Sequence, residues 1–187
     1  MKKILLFFSL LILSHVKMYS QDQQNDINKS WFISTSAGLQ MSGIKSEDFI
    51  SSNIAPALSI SGGLWFTPEI AVQIGYQGPY FNTISDDDKH RYLYFFGEVC
   101  FNINEIINSK RNNNSKWSLI IHPGAGYFYN NYYDQPNIVS HLGVSNNLLV
   151  AKQFSVFFDV EAIMGWDIYQ GDADILPRCL AGLVYTF

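Results

Sequence analysis

The chain has 187 residues, with 12 Lys and Arg against 16 Asp and Glu and a formal charge of −4. An acidic chain without a basic cluster excludes nucleic acid as a partner, and two cysteines are too few for a disulfide scaffold. Aromatic residues reach 16%, and no apolar run after residue 20 is long enough for a membrane helix, so the main classes left are a soluble exported β-domain and a membrane β-barrel.

Residues 1–20 read as an export signal. Lys2 and Lys3 give a positive start, and Ile4 to Leu13 is apolar apart from Ser9. That run is about half the ~20 residues a spanning helix needs. Cleavage is expected after Ser20, although Met18 is a poor match to a small residue. No cysteine follows the run, so a lipoprotein anchor is not expected. Removal of the signal takes Lys2, Lys3 and Lys17 and no acidic residue, so nine basic residues then face 16 acidic ones and the charge becomes −7. Residues 21–30 are polar and are expected to form a periplasmic lead-in. Residues 31–187 show no composition break and are expected to be one domain.

From Trp31 onward, segments of about ten residues alternate in polarity between turn-like stretches, the length and pattern of transmembrane strands. Eight are predicted: Trp31–Gln40, Ile54–Phe66, Ile70–Gln77, Arg91–Asn102, Trp117–Tyr129, Ile138–Leu148, Phe154–Trp166 and Ile175–Phe187. The clearest is Phe154–Trp166. Phe154, Val156, Phe158, Val160, Ala162, Met164 and Trp166 share one face, and Asp159 and Glu161 share the other. Lipid rejects unpartnered carboxylates, so the second face points inward. By the same parity Leu93, Phe95, Val99 and Phe101 face out and Glu98 faces in, while Trp117, Leu119, Ile121 and Tyr127 face out and His122 faces in. The first two strands alternate less cleanly.

Thr67-Pro68-Glu69 reads as a tight turn. Met41–Asn53, Gly78–His90, Asn130–Asn137 and Asp167–Asp174 read as longer outer loops. Ile103–Lys116 is too long for a simple turn and has room for a short helix or an extended hairpin. Trp31, Phe66, Phe101, Trp117, Phe154 and Phe187 fall at one set of strand ends, and Tyr76, Tyr80, Tyr127, Tyr129 and Trp166 near the other. Two such belts are expected where amphipathic rings meet lipid head groups.

The final segment places Cys179, Ala181, Leu183, Tyr185 and Phe187 on one face. An alternating strand that ends in Phe, with Tyr third from last, resembles the closing strand of outer-membrane β-barrels. With the export signal and the eight segments, the chain resembles the small outer-membrane β-barrel family of the OmpA/OmpX and porin-family type. The segments Gly63-Leu64-Trp65-Phe66-Thr67-Pro68 and Pro123-Gly124-Ala125-Gly126-Tyr127 match its common strand ends. The resemblance implies an all-β, eight-stranded, up-and-down antiparallel barrel in a Gram-negative outer membrane. It also implies that Tyr185 and Phe187 form the signal read by the barrel-assembly machinery, and that outer-membrane lipid surrounds the barrel. The family carries no shared catalytic residues to transfer.

An eight-stranded barrel is just wide enough to be filled by its own side chains. Charges inside it must be paired or hydrated. Glu98, His122, Asp159, Glu161 and Arg178 are the expected lumen charge cluster, with Glu161 and Arg178 paired across the last two strands. A structural plug is the expected role, with a proton or ion path as the sharper alternative. An enzyme acting on lipid A would need a Ser, His and acid set. The histidines after the signal are His90, His122 and His141, and neither His122 nor His141 shows the close His–Ser pairing of such a lipid deacylase, so no catalytic residue is expected. Asp86-Asp87-Asp88, with Asp167, Asp172 and Asp174, lacks the spacing and glycine of a calcium loop and reads as solvated. No metal or cofactor is expected. Tyr129, Tyr132 and Tyr133 beside Asn130 and Asn131 suit an adaptable protein-contact surface. Cys100 is expected inward and Cys179 outward on distant strands, with no disulfide between them. The function expected is structural or interaction-based. A narrow channel for small solutes or ions, or an accessory subunit of an envelope complex, are the alternatives.

Overall fold

The computed structural model describes residues 29–42, 54–82, 89–108, 116–131, 134–166, 168 and 173–187. The expected export signal, most of the expected lead-in, Asp86, Asp87, Asp88, Tyr132, Tyr133, Asp167 and Asp172 lie outside the described residues, as does the side chain of His90.

Alternation of apolar and small or polar residues sends successive side chains to opposite faces, and a sheet with one lipophilic face can close on itself. The chain does this with eight strands: β1 Ser30–Met41, β2 Ile54–Trp65, β3 Ile70–Asn82, β4 Lys89–Asn102, β5 Trp117–Asn130, β6 Gln135–Ala151, β7 Phe154–Trp166 and β8 Ala173–Thr186. Each pairs antiparallel with the next, and β1 pairs with β8 to close the barrel. All backbone edges are thereby joined, as a sheet in lipid requires. A short helix, α1 (Ile103–Asn108), follows β4. The Asn104 side chain accepts from the Leu119 amide at 2.8 Å, which ties α1 to β5. This fills the start of the long connection with a helix, one of its two expected forms.

The strands outrun the predicted ones at the end with the longer loops, here the loop end. Residues 78–82 and 89–90 were expected in a loop but belong to β3 and β4, where Tyr80 pairs with Arg91 and Asn82 with Lys89. Likewise Gln135, Pro136 and Asn137 extend β6 against Asn130, Tyr129 and Phe128, so the expected long loop shrinks to residues 131–134. The physical reason is that ladder hydrogen bonds use backbone groups alone and persist beyond the apolar zone, where polarity no longer alternates. Asp134 takes φ 51° in that connection, a left-handed conformation that Asp tolerates better than most side chains. At the other end, the turn end, the 66–69 turn is stapled by Thr67 Oγ1, which accepts from Glu69 and Ile70 amides at 3.3 and 3.2 Å.

The outward face is apolar along the barrel: Ile33 and Leu39 on β1, Leu58 and Ile60 on β2, Ile74 on β3, Phe95 on β4, Leu142 and Val144 on β6, Phe158 and Val160 on β7 and Leu183 on β8 are all exposed. The expected parities of β4, β5, β7 and β8 match the observed faces. Exposed Trp31, Phe66, Trp117, Phe154 and Phe187 ring the turn end, and Tyr127 and Trp166 lie toward the loop end. Cys100 points into the barrel and Cys179 away from it, and both are free thiols.

Candidate functional site

The lumen is built in three layers. At the turn end Phe32, Ala71, Cys100 and Ile120 are buried together, with Trp65 and Val184 against them. At the loop end Tyr92, Tyr94, Phe96, Phe128, Val139, Ile163, Ile168 and Leu176 form a second apolar cluster. Within it Tyr92 stacks on Phe128 at 4.9 Å, and the Tyr92 hydroxyl donates to Gln40 Oε1 at 2.8 Å. Asn130 Nδ2 donates to the Ile168 carbonyl at 2.9 Å, which holds Ile168 in the cluster. Polar side chains fill the level between the two.

Register places that middle layer. One row of neighbours across the strands reads Gln73, Glu98, Gly124, His141 and Ile163. Another reads His122, Gly143, Glu161, Arg178 and Gln40. Each histidine therefore sits beside a glycine on the adjoining strand. The His141 ring occupies the space where a Cβ on Gly124 would project, and the His122 ring does so at Gly143. Glycine is needed at both positions, because even an alanine Cβ would collide with the imidazole.

The predicted lumen residues Glu98, His122, Asp159, Glu161 and Arg178 come together in this layer, all buried. His122 Nδ1 lies 3.1 Å from Glu98 Oε2, and its Nε2 lies 2.9 Å from Asp159 Oδ1. Arg178 Nε pairs with Glu161 Oε1, and Gln77 Nε2 donates to the same oxygen at 2.9 Å. The Arg178 guanidinium also sits 5.7 Å from the Tyr94 ring centre, within cation–π range.

Sequence reasoning missed the uncharged members and one histidine. His141 Nε2 bonds Glu98 Oε2, and its Nδ1 lies 2.6 Å from the Tyr94 hydroxyl. Gln73 donates to Glu98 and accepts from Ser61 at 3.1 Å, and Ser61 bonds Ser34 at 2.6 Å. The signal for His141 was weak, since Leu142 and Val144 mark the outward parity but Ser140 and Asn146 share that face. The result is a continuous chain of polar groups from Asp159 through His122, Glu98 and His141 to Tyr94. Beside it lies a cavity of about 80 Å³ lined by Ser34, Ser61, Gln73, Glu98, His122 and Asp159 among others. At roughly 30 Å³ per water, such a volume accommodates about two to three.

Of the outer-loop contact candidates, Tyr129 is half-buried and donates to Asp134. Tyr185 and Phe187, expected as the assembly signal, lie at the turn end. Tyr185 packs on Phe154 at 4.8 Å and on Phe187 at 4.9 Å between ring centres.

No family model and no curated protein sequence matches this chain. Solved structures do match its shape. Neisserial surface protein A aligns at TM-score 0.60 with 9% identity, over 84% of this chain and 97% of its own. Ail, the attachment invasion locus protein of Yersinia pestis, aligns at 0.54 with 12% identity, over 86% and 100%. The outer membrane enzyme PagL aligns at 0.51 with 15% identity, over 81% and 97%. At these identities the likeness is one of fold: the chain has the architecture of the small eight-stranded outer-membrane barrels.

Proposed function

We propose that this chain is an integral outer-membrane barrel of structural or interaction type, exported through its N-terminal signal, with a plugged lumen and outer loops that contact a protein partner. One observation carries the reading: a polar layer flanked by two apolar clusters, Phe32–Ala71–Cys100–Ile120 below and Tyr92–Tyr94–Phe128–Leu176 above. A conducting path needs a continuous wet column, and apolar side chains at both levels oppose one. The apolar outer face between two aromatic belts supports residence in lipid. Tyr185 and Phe187 supply the segment for the barrel-assembly machinery, and Tyr129, Tyr132 and Tyr133 supply the partner surface.

An enzymatic role is not favoured, although one barrel of similar shape is an enzyme. Acyl transfer on a lipid would need an imidazole set between an acid and a nucleophile that the substrate can reach. Among the described side chains, both nitrogens of His122 face carboxylates, and the hydroxyl against His141 is that of Tyr94, which is fully buried inside the barrel. The polar middle layer is the feature that favours the second reading, a narrow channel.

Planar-bilayer recording separates the two. The plugged reading predicts no stepwise conductance from the reconstituted barrel. Discrete steps that change in Glu161→Gln or Arg178→Ala would instead make it a channel. Crosslinking from the outer loops of intact cells would then identify the partner class.

A further inference from the structure

Two imidazoles and a carboxylate converge at one point in the lumen. His122 Nδ1 and His141 Nε2 both face Glu98 Oε2, and the three donor atoms lie within 4.8 Å of one another. Tetrahedral coordination with bonds of ~2.0–2.2 Å holds its ligand atoms roughly 3.3–3.6 Å apart. Such spacing is within reach of small side-chain movements. The three residues come from β4, β5 and β6, consecutive strands whose pairing fixes their relative heights.

The far side of each ring is also held. His122 Nε2 lies 2.9 Å from Asp159 Oδ1, and His141 Nδ1 lies 2.6 Å from the Tyr94 hydroxyl. A metal-bound histidine characteristically gives its other ring N–H to a carboxylate or similar acceptor, which fixes ring orientation and raises ligand basicity. A tyrosine hydroxyl can accept such a bond as readily as it donates. Asp159 and Tyr94 thus stand where positioning residues belong.

Charge points the same way. Glu98, Asp159 and Glu161 are buried carboxylates in this layer, against the single guanidinium of Arg178, so neutral imidazoles leave a formal −2. Buried charge without compensation is costly. A neutral His122 would turn a lone pair toward one of its two carboxylates, and either a second proton on the ring or a cation between His122 and Glu98 relieves that repulsion.

We propose that Glu98, His122 and His141 bind one divalent transition-metal ion of the zinc class inside the barrel. Imidazole with carboxylate suits zinc and its neighbours, whereas calcium and magnesium want oxygen alone. Three protein ligands leave a fourth position for water, and two of them, Glu98 and His122, also line the cavity of about 80 Å³. The ion ties three strands together at the middle of the lumen. This goes beyond the plugged-lumen reading and does not depend on the outer loops or on any partner.

The test uses the full mature barrel in detergent, stripped with chelator, with Co²⁺ as spectroscopic probe and Zn²⁺ as competitor. The metal is added to the folded barrel and, separately, is present during refolding. One Co²⁺ per barrel is expected, with the visible bands of a tetrahedral nitrogen and oxygen site, bleached by Zn²⁺. His141→Gln and His122→Gln are expected to abolish those bands. Asp159→Asn, which removes only a positioning group, is expected to weaken binding by about 10–100-fold. Retention of the boiled-against-unboiled gel shift shows that each variant is folded. X-ray absorption on the zinc-loaded wild-type barrel is expected to show two imidazoles and needs no variant. Wild-type barrel that takes up no stoichiometric metal by either route would overturn the proposal, as would undiminished binding in a folded His122→Gln/His141→Gln double variant.

Discussion

Arg178 is fully buried, and its partner is the Glu161 carboxylate directly opposite on β7. Two charges taken out of water gain little over an apolar pair, but removing one strands the other. Glu161→Gln should therefore cost about 3–5 kcal/mol. The double variant Glu161→Gln/Arg178→Met should recover most of that loss, and urea titration of the refolded barrel measures both. A double variant no more stable than the single one would show that Arg178 is held by something other than this pair. The pairing could be anticipated because both residues lie on strands with clean alternation. His141 could be read only as a stray histidine, because polar residues stand on both faces of its strand: Ser140 and Asn146 outward, Ser145 inward. Gln73 and Gln77 carry no charge and so gave no signal of a lumen role, although they complete the bonding of Glu98 and Glu161.

Strands are held by two different agents, and sequence reports only one of them. Within the apolar zone, side-chain alternation marks face and extent, so β7 was legible at both ends as Phe154–Trp166. Beyond that zone the backbone ladder alone extends β3, β4 and β6, and Pro79, Pro136 and Gly78 read as loop residues while they sit in strands. β1 and β2 blurred for another reason. Their inward faces carry Ser34, Ser36, Ala55, Ala57, Ser59 and Gly63, and small residues on one side weaken the contrast with the other. A strand that spans lipid should be most sensitive to charge at its middle. Val160, outward and 48% exposed on β7, should lose about 2–4 kcal/mol as Val160→Arg, whereas Trp166→Arg at the rim should lose about 1 kcal/mol or less. Unfolding titrations in lipid vesicles give both values. Equal costs at the two positions would mean that β7 does not cross a bilayer.

The whole molecule follows from one division of labour: apolar residues outward to lipid, a polar layer inward, and an apolar cluster above and below that layer. Closure through the β1–β8 pairing leaves no free sheet edge, so the barrel should resist detergent until heated. Fold class and strand number were legible because they rest on periodicity and turn spacing. The composition of the polar layer was legible only in its charges, because which side chains meet depends on the stagger of eight strands, which no local pattern encodes. The most direct test is gel mobility of the membrane fraction, boiled against unboiled, after detergent extraction. The account predicts a heat-modifiable band in the outer-membrane fraction. A soluble periplasmic protein with the same mobility before and after boiling would contradict it.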